Sequence, residues 1–226
     1  HPAFMQHPCP HRSVEFNLRP PGIELWTTHV PRKYEVALLC LLLGGVYLHH
    51  LSELQSWLGL QIDLNQFFPH LGFSLLALLI PAAVTFLAYG LIKIYCWLNN
   101  YISSASSAVK IPNRIKVRSF TELAYGYLPL VLGGNLAHYL PLGLGEGGRI
   151  LPVFFATFGL DGGQLPFVVA HPAVIAFLQG TTLIFSVLLS IVLTQKIARQ
   201  PLRVMLWQHL AAIALGVSMW QIIVSR

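Results

Sequence analysis

Histidines are the residues of this chain whose type and placement are best suited to chemistry. The chain holds ten of them, and five fall near the ends of apolar stretches: His49, His50, His70, His138 and His171. Neutral imidazole is a common ligand of metal ions and of haem iron, and ligands from separate helices can meet inside a bundle. The pattern predicts a haem b or metal site in which His138 is joined by His49, His50 or His171.

His138 has the most informative surroundings, in the sequence LVLGGNLAHYL. Gly134 and Asn135 precede it by four and three residues, so all three lie on one helix face. Small residues allow a neighbouring helix or a flat cofactor to approach closely. Two interpretations follow. His138 is a cofactor ligand, or this face is a packing seam with one hydrogen-bonded histidine.

His209 is the remaining candidate cofactor-binding residue, and it lies in the last apolar stretch. Met205 and Gln208 are near it on the helix surface, and Gln179 in the preceding stretch is a candidate partner. A histidine in each half of a membrane would allow two haems or a proton path. A buried histidine–glutamine hydrogen bond is the simpler alternative.

Other signatures of catalysis are missing from the sequence. It contains no HExxH, no GxSxG and no glycine-rich phosphate loop. Carboxylates are few, and Glu122 is the one expected at membrane depth. Cys40 and Cys96 lie in apolar stretches, where a free cysteine usually packs as a small hydrophobic residue. The sequence therefore gives no basis for hydrolytic chemistry.

Long apolar helices must position these histidines. Hydrophobic residues make up 55% of the 226 and charged residues only 10%, whereas soluble domains carry about 25% charged residues. A helix of about 20 apolar residues crosses a bilayer core. The predicted fold class is an all-α integral membrane bundle of five transmembrane helices, near residues 34–51, 71–98, 120–142, 172–194 and 201–224.

Charged residues divide the connections between spans into two classes. Lysine and arginine gather before the first span and after the second and fourth. The other connections hold Glu53, Asp63, Glu146, Arg149 and Asp161. Since basic residues mark the cytoplasmic side of short loops, we expect a cytoplasmic N-terminus and an outer C-terminus, in a bacterial inner membrane or a thylakoid-type membrane. The net charge of +6 sits beside the spans, so it predicts contact with membrane lipid and no nucleic-acid binding.

Residues 141–171 do not have the composition of an exposed loop. They contain the apolar runs ILPVFFATFGL and LPFVVA, separated by DGGQ. Non-helical backbone at membrane depth requires protein or a wet cavity to satisfy its polar groups. We predict either a re-entrant hairpin or a lid that lies on the bilayer surface.

The first 31 residues form a separate polar, proline-rich segment that we expect to be cytoplasmic, followed by a transmembrane domain over residues 32–226. The piece Cys9-Pro10-His11-Arg12-Ser13-Val14 resembles the end of a bacterial ferredoxin motif, where the last cysteine precedes a proline. Together with the histidine-bearing spans, it resembles the membrane-bound polyferredoxins of the NosR/NapH type. The three earlier cysteines of the motif are missing from residues 1–8.

The resemblance implies that Cys9 is a [4Fe-4S] ligand whose companions lie N-terminal to His1. It also implies electron transfer that involves the quinone pool or a redox partner protein. We therefore expect a membrane protein that passes electrons from a cytoplasmic iron–sulfur donor to an acceptor at the outer interface. Two alternatives remain open. One is a metal or small-solute transporter with an outer histidine site, and the other is a non-catalytic subunit or assembly factor of a larger membrane complex.

Overall fold

The computed structural model describes residues 30–106, 117–159 and 169–225, and within these ranges the chain forms helices and no strand. The α-helices of these ranges are α1 Lys33–His49, α2 Leu51–Leu58, α3 Phe67–Ser106, α4 Phe120–Ala124, α5 Leu128–Leu140, α6 Ile150–Thr157, α7 Pro172–Ala198 and α8 Leu202–Ile223. Two 3-10 turns, Tyr125–Tyr127 and Gly147–Arg149, and a π-helix, Pro141–Glu146, connect α4, α5 and α6. The predicted all-α class is confirmed for these residues.

The long helices have the length and surface of membrane spans. Three stretches of the described ranges qualify by length and composition, Phe67–Tyr101, Pro172–Ala198 and Leu202–Ile223, and the bent pair α1 and α2 makes a fourth if it counts as one span. Large apolar side chains point outward, with Leu79 60% and Phe177 70% exposed. An apolar surface of this extent marks contact with membrane or partner, so the chain has the character of a helical membrane protein.

The helices pack into a closed ring. Helix α1 contacts α3, α3 contacts α8, α8 contacts α7, α7 contacts α5, and α5 returns to α1, while α5 and α8 also touch across the ring. The core contains Tyr47 of α1, Leu130 of α5, Leu183 of α7 and Met219 of α8. Because lipid tails are as apolar as these side chains, close van der Waals packing stabilises such a bundle.

Two of the predicted spans differ from single straight helices. Helices α1 and α2 meet at His50 at an angle of 81°, so the first span is broken near its end. The third, predicted at 120–142, is assembled from α4, a 3-10 turn and α5. Helix α5 has 13 residues, about 20 Å at 1.5 Å per residue, which is shorter than a bilayer core of about 30 Å.

The apolar segment after α5 turns back on itself. Its first apolar run forms α6, none of whose side chains is buried. The helix ends near Gly159, which has a φ of 74°, and the Ala170 N–H donates to the Leu144 carbonyl at 3.1 Å. Residues 144 and 170, at the two ends of this segment, therefore lie next to each other. Most of the second apolar run lies outside the described residues. The depth of this segment in a bilayer stays a prediction.

Candidate functional site

Three of the predicted histidines meet at one end of the bundle. The Nε2 atom of His50 lies 2.9 Å from the Nδ1 atom of His138, within hydrogen-bond distance. The ring of His49 stacks on that of His138, with centroids 5.0 Å apart and planes at 24°. His50, His49 and His138, called the histidine cluster below, thus come from the break in the first span and from α5.

The break between α1 and α2 places His50 in this cluster. His50 is the residue between the two helices, with φ −120° and ψ 41° outside the helical region, and its side chain is buried. Leu54 of α2 is fully buried and holds the short helix against the bundle. Because α2 turns away from the axis of α1, the His50 ring lies beside the end of α5.

A carboxylate lies on the other side of the His50 ring. The Nδ1 atom of His50 is 3.9 Å from Oε2 of Glu53, and the Ser52 hydroxyl donates to the same carboxylate oxygen at 2.7 Å. The positions of the ring protons follow from the hydrogen-bond network, so either histidine can donate in the His50–His138 pair. The His50–His138 pair can hold a proton and pass it between its two rings.

The histidine cluster lines an open cavity of about 950 Å³. Its polar wall includes the three histidines with Glu146 and Gln179, and its apolar wall includes Leu142, Ile175, Ala176 and Val224. Ligand sites are commonly clefts of about 300–1,000 Å³ with apolar walls and a few polar groups. A flat, partly polar molecule of moderate size would suit this cavity.

The remaining outer histidines stand apart from the cluster. His171 caps α7, where its Nδ1 accepts the Ala173 N–H at 3.2 Å, and it does not line the cavity. The Nδ1 of His70 lies 3.4 Å from the Ser74 hydroxyl on α3. Of the five histidines that the sequence placed at a similar depth, three therefore meet in the histidine cluster and two lie elsewhere.

His209 lies in a different polar group. Its Nε2 atom is 3.1 Å from Oε1 of Gln195, so its partner is Gln195 and the expected pairing with Gln179 is wrong. Gln179 instead donates to the Ala137 carbonyl at 2.9 Å. The side-chain Nε2 of Gln208 and Nδ1 of His209 are buried without a hydrogen-bond partner among the described residues. A buried water molecule would satisfy each of these atoms.

The packing-seam interpretation of the His138 face describes its small residues well. A side chain at Gly134 would lie 2.9 Å from the methyl group of Met219, so the glycine brings α5 close to α8. Asn135 donates from Nδ2 to the Val131 carbonyl at 2.8 Å. His138 is hydrogen-bonded to His50 as the packing-seam interpretation predicted, and it also lines the cavity, while its role as a cofactor ligand stays a prediction.

The geometry limits how a metal or haem could be held. Metal–imidazole bonds are about 2.0–2.1 Å long, so two histidines on opposite sides of a haem iron hold their nitrogens about 4 Å apart. His138 touches both His50 and His49 directly, which leaves no space for a macrocycle between either pair. Within the described ranges, no group of three or more His, Cys, Asp or Glu side chains is placed to hold a metal ion.

The predicted metal and haem ligands therefore stay predictions. Cys9, the predicted iron–sulfur ligand, lies outside the described residues. Cys40 and Cys96 are free cysteines in the helices, as the sequence indicated.

Sequence reasoning missed two sets of polar partners. The first is Glu53, which the sequence analysis placed only in an outer connection. Its position three residues after His50 predicts that the two side chains are neighbours on a helix. The second set joins helices. The Tyr47 hydroxyl lies 2.5 Å from that of Ser218, and the Tyr127 hydroxyl donates to the Gln208 side chain. Nothing in the local sequence indicates these pairs, since they join residues far apart in the chain.

The site and the fold define a helical membrane protein with a histidine-lined cavity at one end. Comparison with protein-family models, with characterised proteins and with solved structures gave no match to this chain.

Proposed function

We propose that this chain is a five-span membrane electron-transfer protein whose histidine-lined cavity binds the electron acceptor at the outer interface. The observation that carries the proposal is the hydrogen-bonded pair of His50 and His138 in the wall of a mixed polar and apolar cavity, with the Glu53 carboxylate 3.9 Å behind the His50 ring. The acceptor class that this chemistry favours is a quinone. A redox partner protein at the same face is the alternative acceptor.

A quinone explains why proton-carrying groups and apolar walls occur together. A quinone that accepts two electrons takes up two protons and becomes the quinol, so its site must donate protons. Histidine titrates closest to neutral pH of the common side chains, and a proton donor must lie within hydrogen-bond reach of its acceptor. In this proposal, His138 and His49 meet the quinone oxygens, and His50 resupplies the proton to His138.

The proposed topology counts α1 with α2 and residues 120–142 as spans, in addition to α3, α7 and α8. Charge supports the orientation. Lys33 lies at the start of α1, and the end of α7, the turn after it and the start of α8 carry Lys196, Arg199 and Arg203, whereas Glu53, Asp63 and Glu146 lie at the histidine end. By the positive-inside rule the histidine cavity faces outward.

The proposed electron donor is cytoplasmic and iron–sulfur in type, because residues 9–14 resemble the end of a ferredoxin motif. Cys9 would contribute one ligand, and the other ligands would come from residues outside this sequence. The bound cluster would supply single electrons. The chain's own described residues would orient the acceptor and move protons.

The decisive test is a dithionite-reduced minus oxidised optical spectrum of the protein purified in mild detergent with all residues N-terminal to His1. We expect absorbance bands that appear when dithionite reduces the protein and disappear when decylubiquinone reoxidises it. The His138→Ala variant should be reoxidised at least tenfold more slowly. His70→Ala is the matched control, since His70 lies outside the cluster. A protein without redox-active absorbance would overturn the proposal.

A second candidate function is transport of a metal ion or small solute. It is favoured by the 81° break at His50 and by the π-helix after α5, because broken helices line the substrate sites of many transporters. Zinc uptake into proteoliposomes that depends on His138, without redox-active absorbance, would establish this alternative.

A further inference from the structure

A second cavity lies on the lateral surface of the bundle, between α5 and α7. It has a volume of about 730 Å³ and is walled by side chains such as Leu132, Leu136, Phe185 and Leu189. At its floor the two helices approach closely, because a side chain at Gly133 would lie 1.6 Å from the Ser186 hydroxyl oxygen. The missing side chain at Gly133 and the large side chains on either side produce a groove, called the α5–α7 groove below.

Two hydroxyl groups of the groove wall donate to carbonyl groups of their own helix. The Ser186 hydroxyl donates to the Thr182 carbonyl at 2.6 Å, and the Thr181 hydroxyl donates to the Phe177 carbonyl at 2.8 Å. Such hydroxyl groups need no further partner. The groove therefore presents an apolar surface along its length.

One end of the groove carries positive charge. Lys196, exposed in the last turn of α7, is the one charged side chain among the residues that line it. Arg199 and Arg203 follow in the turn to α8 and are also exposed. From Thr181 to Lys196 the groove follows fifteen residues of α7, about 22 Å at 1.5 Å per residue. One leaflet spans about half of a 30 Å core, so the groove can hold an acyl chain through its whole leaflet.

A neighbouring groove provides an internal comparison. It lies between α7 and α8, has a volume of about 290 Å³, and is lined by residues such as Ile184, Leu188, Ile213 and Val217. No charged side chain is among its lining residues, all of which belong to the described ranges. Helix α7 thus borders two apolar grooves, and of these two the α5–α7 groove is the one lined by a cation.

We propose that the α5–α7 groove is a binding site for an anionic phospholipid, with an acyl chain along the groove and the phosphate ion-paired to Lys196. Basic pockets between transmembrane helices on the cytoplasmic side bind anionic lipid head groups. Charge complementarity selects an anionic lipid over a zwitterionic one. The proposal rests on the membrane placement given above and is independent of the redox chemistry.

The test is native mass spectrometry of the delipidated protein, titrated with dioleoyl phosphatidylglycerol or with dioleoyl phosphatidylcholine. Phosphatidylglycerol should bind at least fivefold more tightly. Lys196→Gln should lower this preference about fivefold, because one basic residue near the membrane surface contributes about that factor in affinity for anionic lipid. Lys33→Gln, a change at an exposed lysine outside the groove, should keep the preference.

A second pair of variants tests the groove itself and remains informative if Lys196→Gln does not fold. Leu189 lines the α5–α7 groove and Leu188 lines the neighbouring one, and the two side chains are 56% and 52% exposed. Leu189→Trp should weaken phosphatidylglycerol binding at least fivefold, and Leu188→Trp should not. Equal binding of the two lipids, or equal effects of the two tryptophan variants, would overturn the proposal while leaving the redox proposal untouched.

Discussion

His50 and His138 lie 88 residues apart in the chain and within 2.9 Å of each other at their ring nitrogens. This hydrogen bond joins the break in the first span to the last turn of α5. The pair is therefore both part of the candidate site and a link between two helices.

Removal of this link should be measurable as a loss of stability. His50→Ala deletes a buried partner of His138, and such a loss costs about 1–3 kcal/mol. The free energy of unfolding, measured in detergent by denaturant titration, should fall by this amount. His70→Ala should change it little, because His70 is exposed. A double-mutant cycle of His50→Ala and His138→Ala should give a coupling of about 0.5–3 kcal/mol, and additive effects would contradict the contact.

Adjacent glycines in α1 should respond in opposite directions to the same substitution. A side chain at Gly44 would lie 2.4 Å from the Leu78 carbonyl oxygen, whereas one at Gly45 meets nothing within 4 Å. Gly44→Ala should therefore lower the melting temperature, since backbone atoms of α3 must move. Gly45→Ala should leave it unchanged or raise it, because alanine is favoured over glycine in helices by about 1 kcal/mol. Equal effects would show that α1 and α3 do not pack as described.

The buried Tyr127 should stabilise the bundle through its hydroxyl group. This hydroxyl donates to the Gln208 side chain and lies 3.2 Å from the Gln208 carbonyl. Tyr127→Phe leaves Gln208 with an unsatisfied buried oxygen, so it should destabilise the protein by about 1–3 kcal/mol. Tyr139→Phe, at a position 52% exposed, is the control. A Tyr127→Phe protein as stable as the control would argue against the contact.

The proposed orientation predicts which positions a membrane-impermeant maleimide reaches. Cysteine introduced at Asp63, between α2 and α3, should react from outside intact cells, and cysteine introduced at Gln200, between α7 and α8, should react only after lysis. The native cysteines Cys9, Cys40 and Cys96 are replaced by serine in both variants. Labelling of both positions from the same side would refute the five-span topology.

The sequence alone determined the helical class and the apolar stretches, because both depend on local composition. It also placed the start of the fourth span at residue 172, and Pro172 lies in the first turn of α7, where a proline loses no hydrogen bond. The depth of His49, His50 and His138 along their helices followed in the same way, from counting residues at a fixed rise.

The tertiary structure decided which of these residues meet. No glycine or proline lies between Gly45 and Gly59, yet the helix breaks at His50, where Leu54 is buried and His50 bonds to His138. His70 and His171 were predicted by the same reasoning but bond elsewhere, because counting along a helix gives depth and not the neighbouring helix. Periodicity determines which residues share a helix face, and only the packing of the helices against one another determines what that face contacts.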